Sequence, residues 1–141
     1  HAQSGAVMAF RILDKLGMPA DEIATVCSAI GNHDESTAFP VNAVAAALIL
    51  ADKTDVRRTR VRNRDKATFD IHDRVNYAVE KASTTLDAAG KAVVLDLQLD
   101  TGMSPVIDYF EIFLERMLLC RKAAEKLGLS FRLVVNGQTV L

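Results

Sequence analysis

The stretch Val93-Val94-Leu95-Asp96-Leu97-Gln98-Leu99-Asp100 decides the fold class. Its period is two: Val93, Leu95, Leu97 and Leu99 share one face, and Asp96, Gln98 and Asp100 share the other. That pattern is a half-buried strand. Upstream, Val75, Tyr77 and Val79 alternate with Asn76 and Glu80 and predict a partner strand, joined to the first by a hairpin around Ala88-Ala89-Gly90. Downstream, Ser104-Pro105 suits the start of a long helix. Ile107, Phe110, Leu114, Met117 and Leu118 make its expected apolar face, against Asp108, Glu111, Glu115 and Lys122, and Gly128 closes it. Phe131, Leu133 and Val135 then lead into Asn136-Gly137, a two-residue hairpin signal, and a last strand through Val140. The expected order is β-β-α-β-β: an α+β unit over residues 67–141, with one long helix packed on a small antiparallel sheet.

The first 66 residues read differently, as helices. Ala6, Ala9, Phe10, Leu13 and Leu16 recur at helical spacing opposite Gln3, Ser4, Arg11, Asp14 and Lys15. Gly17 and Pro19 separate this helix from the next. There, Asp21 and Glu22 suit the N-terminus and Ile23, Val26, Cys27 and Ile30 form the stripe, up to Gly31-Asn32. Helical phase carries His33 onto the face of Ile30, pointing inward or into a cleft. After Pro40, the segment Val41–Ala51 is apolar nearly all round, which predicts a central, surrounded helix. Asp52 falls on the stripe of Val41, Val44, Ala45 and Leu48, where a carboxylate is costly to bury without a cation, a metal or several donors. Arg57 to Lys66 is a basic connector without a stripe, so the expected division is a helical part, 1–66, and the α+β part, 67–141.

Composition narrows the function classes. The chain has 141 residues, half of them hydrophobic, enough for a packed core. Lys plus Arg number 17 against 18 Asp plus Glu, and aromatics are 6% with no Trp, which argues against a nucleic-acid binder. No apolar run approaches the roughly 20 residues of a membrane span, and no signal-peptide pattern is present. Cys27 and Cys120 form neither a disulfide framework nor a metal-ribbon spacing and are expected to be buried free thiols of a cytoplasmic protein. The first residue is His rather than Met, as in a processed chain or a piece of a longer one.

Four features together carry a resemblance. They are His1 opening a helix, the Leu16-Gly17-Met18-Pro19 break, Ala29-Ile30-Gly31-Asn32-His33-Asp34-Glu35, and Leu50-Ala51-Asp52-Lys53-Thr54-Asp55. The sequence resembles the later half of an HD-domain metal-dependent phosphohydrolase, a helical family whose ligands are an early His, a His-Asp doublet and a late Asp. Segments Ile71–Val79, Pro105–Phe113 and Val135–Gly137 resemble the tail of a subgroup of HD-domain proteins, to which no substrate attaches. Asp52 follows Asp34 by only 18 positions, too few for the family's helices between doublet and late Asp. The resemblance therefore implies that His1 and His33 are the two later histidines, that Asp52 is the late metal carboxylate, and that the doublet precedes His1. On that reading this chain alone is expected to be inactive.

The implied cofactor is a divalent metal (Mn, Fe, Co, Zn or Mg) in the full-length protein, not necessarily bound by this chain alone, and the implied substrate a phosphorylated small molecule or nucleotide. Neutral imidazole and carboxylate suit such ions, which acidify water and clamp phosphoryl oxygens. Lys53 is the candidate catalytic cation beside Asp52, while Arg57 and Arg58 are placed to neutralise a substrate phosphate. Each has a plainer reading. A His at a helix end caps or faces solvent, Asp52 pairs with Lys53 or a nearby arginine, and the arginines keep a loop in water. His72-Asp73, ahead of an expected strand, is read as coincidence or as a structural hydrogen-bonding pair. The competing class is a non-catalytic interaction or regulatory module with a degenerate site, a homodimer through its apolar helix and strand edges.

Overall fold

Residues 92–99 form strand β2, as their period requires, and the other elements assemble around it. The computed structural model describes residues 1–34 and 38–141; Glu35 of the quoted motif lies outside the described residues. In chain order come α1 (Ala2–Lys15), α2 (Ala20–Gly31), α3 (Ala43–Lys53), two 3-10 turns (Arg58–Arg60 and Lys66–Thr68) and α4 (Ile71–Ala78). β1 (Val79–Asp87), β2 (Ala92–Leu99), α5 (Val106–Lys126), β3 (Ser130–Val135) and β4 (Gln138–Thr139) follow. The β-β-α-β-β order and the α+β class hold.

The sheet has the order β1-β2-β3-β4 and is mixed rather than antiparallel. β1–β2 and β3–β4 are antiparallel, but β2 and β3 run parallel. The cause lies in the connection: a single long helix between consecutive strands carries the chain back to its starting end, so the next strand runs the same way. Asn136 and Gly137, at φ 49° and 80°, supply the two left-handed residues of the β3–β4 turn.

One expected strand is replaced and two expected helix faces are rotated. Residues 71–78 are α4 instead of strand, because Asp70 caps the helix (Asp73 N–H donates to its Oδ1 at 2.8 Å) and Val75 and Ala78 turn inward. Ile71, Val75 and Ala78 fit period 3.6 as well as Val75, Tyr77 and Val79 fit period two. In α5 the buried face is Tyr109, Phe113, Met117, Cys120 and Ala124, while Ile107 and Leu114 of the expected stripe are exposed. That helix has two apolar stripes, and the one carrying the large aromatics meets the sheet and α3. In α3 the buried positions are Ala45, Ala46, Ile49, Leu50 and Lys53, and Val44 is 48% exposed. The helix is covered on one side only, since outward alanines cost little.

One core joins the two halves of the chain. Ala46, Ile49, Leu50 and Val56 from the helical part pack with Leu95, Leu97, Met117, Phe113 and Leu133, each large apolar side chain contributing roughly 1.5–3 kcal/mol of burial. Outside this core, α2 packs on α3 and α1 packs on α2. As the outermost helix, α1 buries only Ala2 and leaves Phe10 and Leu16 of its expected stripe exposed. Neither cysteine is in a disulfide; Cys120 is buried, and Cys27 is half-buried with its Sγ on the Ala6 carbonyl.

Candidate functional site

Where α1 begins and α2 ends, two imidazoles meet. His1 precedes the first turn of α1, and its carbonyl accepts the Gly5 N–H at 2.8 Å. His33 follows the Asn32 cap of α2 and is 8% exposed. Their Nε2 atoms lie 3.0 Å apart, with ring centroids at 4.9 Å and planes at 76°.

The tautomer of neutral His33 follows from its other contact. Its Nδ1 is 2.6 Å from the Ile30 carbonyl, which can only accept, so Nδ1 carries the proton and Nε2 the lone pair. A backbone carbonyl that fixes an imidazole through its second nitrogen is the usual support behind a histidine metal ligand. With bonds of about 2.1 Å, adjacent corners of an octahedral site lie about 3.0 Å apart. The His1–His33 separation matches that spacing, and equally suits His1 Nε2–H donating to His33 Nε2. The two rings fit adjacent ligand positions of one ion. Among the described residues, no three His, Cys, Asp or Glu side chains converge into a metal-binding group.

Local packing makes this meeting possible. Gly5 lies where α1 crosses α2, and a Cβ there would sit 3.2 Å from Ile30 Cγ2. Gln3 Nε2 donates to the Gly31 carbonyl at 3.0 Å, tying the same turn of α1 to the end of α2. Sequence reasoning missed both residues. The available signal was a glycine inside a helical pattern, which costs about 0.5–1 kcal/mol against alanine and so marks close packing.

Asp52 does not join the histidines in such a group; its Oδ2 meets Lys53 Nζ at 2.6 Å, with side-chain exposures of 39% for Asp52 and 6% for Lys53. The plainer pairing of Asp52 with its neighbour is therefore present, and the buried member is the lysine. The basic connector is occupied too. Asp55 receives Arg57 Nε at 2.8 Å and Arg60 at 2.9 Å. Arg58 Nε donates to the Tyr77 carbonyl at 2.7 Å, and its guanidinium stacks 4.5 Å from the centre of the Tyr77 ring. Lys66 lies 4.6 Å from that same centre; its hydrogen bond to the phenol and its charge, with that of Arg58, pull the Tyr77 pKa below its ordinary value. His72 is exposed in the first turn of α4, and Asp73 accepts from Asn63 at 3.3 Å.

No family model, no curated protein and no solved structure matches the chain. Among the described residues no helix is long and apolar enough to cross a membrane.

Proposed function

We propose that the chain carries the later part of an HD-type phosphohydrolase site, in a cytoplasmic protein that hydrolyses a phosphate ester or nucleotide. The observation that supports this reading is the His1–His33 pair, with Nε2 of neutral His33 left as the lone-pair nitrogen by the Ile30 carbonyl. His1 and His33 would hold a divalent ion, and Asp52, which does not group with them, would supply the late carboxylate of the principal site together with a doublet upstream of His1. The ion would acidify a water molecule and neutralise phosphoryl oxygens. Within the chain, Ile30 orients the His33 ring, Lys53 pairs with Asp52, and Arg57 and Arg58 would bring cations toward the phosphate from their places beside Asp55 and Tyr77.

A second reading is the non-catalytic, homodimeric interaction module. It is favoured by the internal use of those charges: Asp52 by Lys53, Arg57 by Asp55, Arg58 by Tyr77. The two readings separate in a hydrolysis assay against a generic phosphodiester and a nucleotide panel with added Mn, run on this chain and on a protein extended upstream of His1. The enzyme reading expects turnover by the extended protein alone, abolished by Asp52→Ala. Metal-dependent turnover at the same rate by this chain would overturn the assignment and make His33-Asp34 the doublet. No turnover by either leaves the interaction module.

A further inference from the structure

Among the described residues strand β1 is an edge of the sheet, pairing with β2 on one side only. We propose that its free edge is the contact of a homodimer, in which β1 of a second copy adds antiparallel across a two-fold axis at Thr84. This deepens the homodimer reading above and is independent of the metal.

The argument starts from the two faces of β1. Ala82, Thr84 and Leu86 are paired with Leu97, Leu95 and Val93, so they share the core face of the sheet. Lys81, Ser83, Thr85 and Asp87 are paired with Gln98, Asp96, Val94 and Ala92 on the outer face. A register shift between Val79 and Lys81 interrupts the regular strand, leaving Lys81–Asp87 as the regular edge. Along this edge Leu86 is 66% exposed although it faces the core side. An apolar side chain there, on an edge strand without proline, is what such strands normally avoid.

Antiparallel pairing of β1 with itself must oppose core-face to core-face residues, which leaves few registers. Centred on Thr84, Lys81 opposes Asp87, Ala82 opposes Leu86 and Ser83 opposes Thr85, each twice by symmetry. Charge meets opposite charge, with Asp87 shared between Lys81 of the second copy and Arg132 of its own chain, apolar meets apolar, and hydroxyl meets hydroxyl. Centring on Ser83 sets Leu86 against Glu80 and Lys81 against Thr85. Centring on Thr85 sets Leu86 against Thr84 and leaves Lys81 beyond the partner strand. The Thr84 register is the complementary one. It also brings Leu86 of the second copy beside Ala82, at a groove of about 490 Å³ between the end of α3 and β1 that Leu50, Ala51, Thr54 and Thr84 line together with the Asp55–Arg57 ion pair. The exposed leucine of each copy thus meets the apolar side of this groove on the other.

The test combines sedimentation with a cysteine scan of the edge. The chain is expected to sediment as a concentration-dependent dimer. Thr84→Cys, mildly oxidised, is expected to give a disulfide joining the two introduced thiols, whereas Ser83→Cys and Thr85→Cys, which oppose each other rather than themselves, cross-link far less. Lys81→Asp is expected to raise the dimer Kd about tenfold, and Asp87→Lys added to it to restore the dimer. Circular dichroism verifies that each variant is folded. A dimer that cross-links at Ser83 or Thr85 in preference to Thr84, or at none of the three, overturns this edge and leaves the homodimer reading standing. A monomer overturns both.

Discussion

His33 is held from both ring nitrogens, Nδ1 by the Ile30 carbonyl and Nε2 by His1, and of this only the side of the helix on which the ring falls was legible. Helical phase placed the ring on the face of Ile30, since one turn separates the two positions. Asp52 was harder to place. An almost wholly apolar helix has no polar face to set its phase, so the stripe ending at Asp52 looked as good as the true one, which ends at Lys53. Gly5 was invisible as a site residue, because its role is the room it leaves for Ile30. At the same scale, Tyr109 gives a pH prediction. Burial, and next the nearby Cys120, push its pKa far above the ordinary value of 10, with Arg116 opposing. The folded state therefore keeps this proton where the unfolded state loses it. The resulting stability is fully present below pH 10 and declines as pH rises above it. Urea midpoints measured at pH 8 and pH 11 are expected to fall for the native chain, and to fall less for Tyr109→Phe. Equal declines would remove Tyr109 as a cause.

At the scale of elements, the turns were read more securely than the faces. Asn136-Gly137 was visible because a two-residue hairpin demands left-handed backbone at both positions, and few residue pairs supply it. What the sequence did not disclose is the second use of Asn136. Its Oδ1 accepts the Leu99 N–H at 2.8 Å, and its Nδ2 donates to the Leu99 carbonyl at 3.1 Å, so it closes the end of β2 as well as turning the chain. Asn136→Ala removes both bonds and puts a Cβ-branchless but left-handed-averse residue at φ 49°. The expected cost is about 1–3 kcal/mol, read from the denaturant midpoint at unchanged slope. Asn136→Asp, which keeps the acceptor and tolerates the backbone, is expected to cost less; an equal loss would assign the effect to something other than the Leu99 N–H. The helix faces failed for a shared reason. α5 and residues 71–79 each offer two apolar patterns of similar quality, and only packing against the sheet selects one.

At the scale of the molecule, the change from helix to strand lies at Val79, after α4, rather than at the expected boundary near residue 66, and the core continues across that boundary through Ile49, Leu50 and Val56. Periodicity reports each element's own face and says little about which elements share an interior, so the continuity of the core was not legible. The parallel β2–β3 pairing belongs to this scale as well, as it follows from the crossover by α5 and from no residue of either strand. The function rests on a narrower base, the convergence of His1 and His33 at the outer α1–α2 pair. The most direct measurement is a calorimetric titration of the chain with cobalt(II), set beside His33→Ala and Gly5→Val. The account predicts binding that is weakened more than about tenfold by His33→Ala, since loss of an outer support alone costs about 10–100-fold. Gly5→Val, which pushes α1 away from Ile30, is expected to weaken it as well. Cobalt binding equal in the native chain and in His33→Ala, or absent from the native chain, would contradict it.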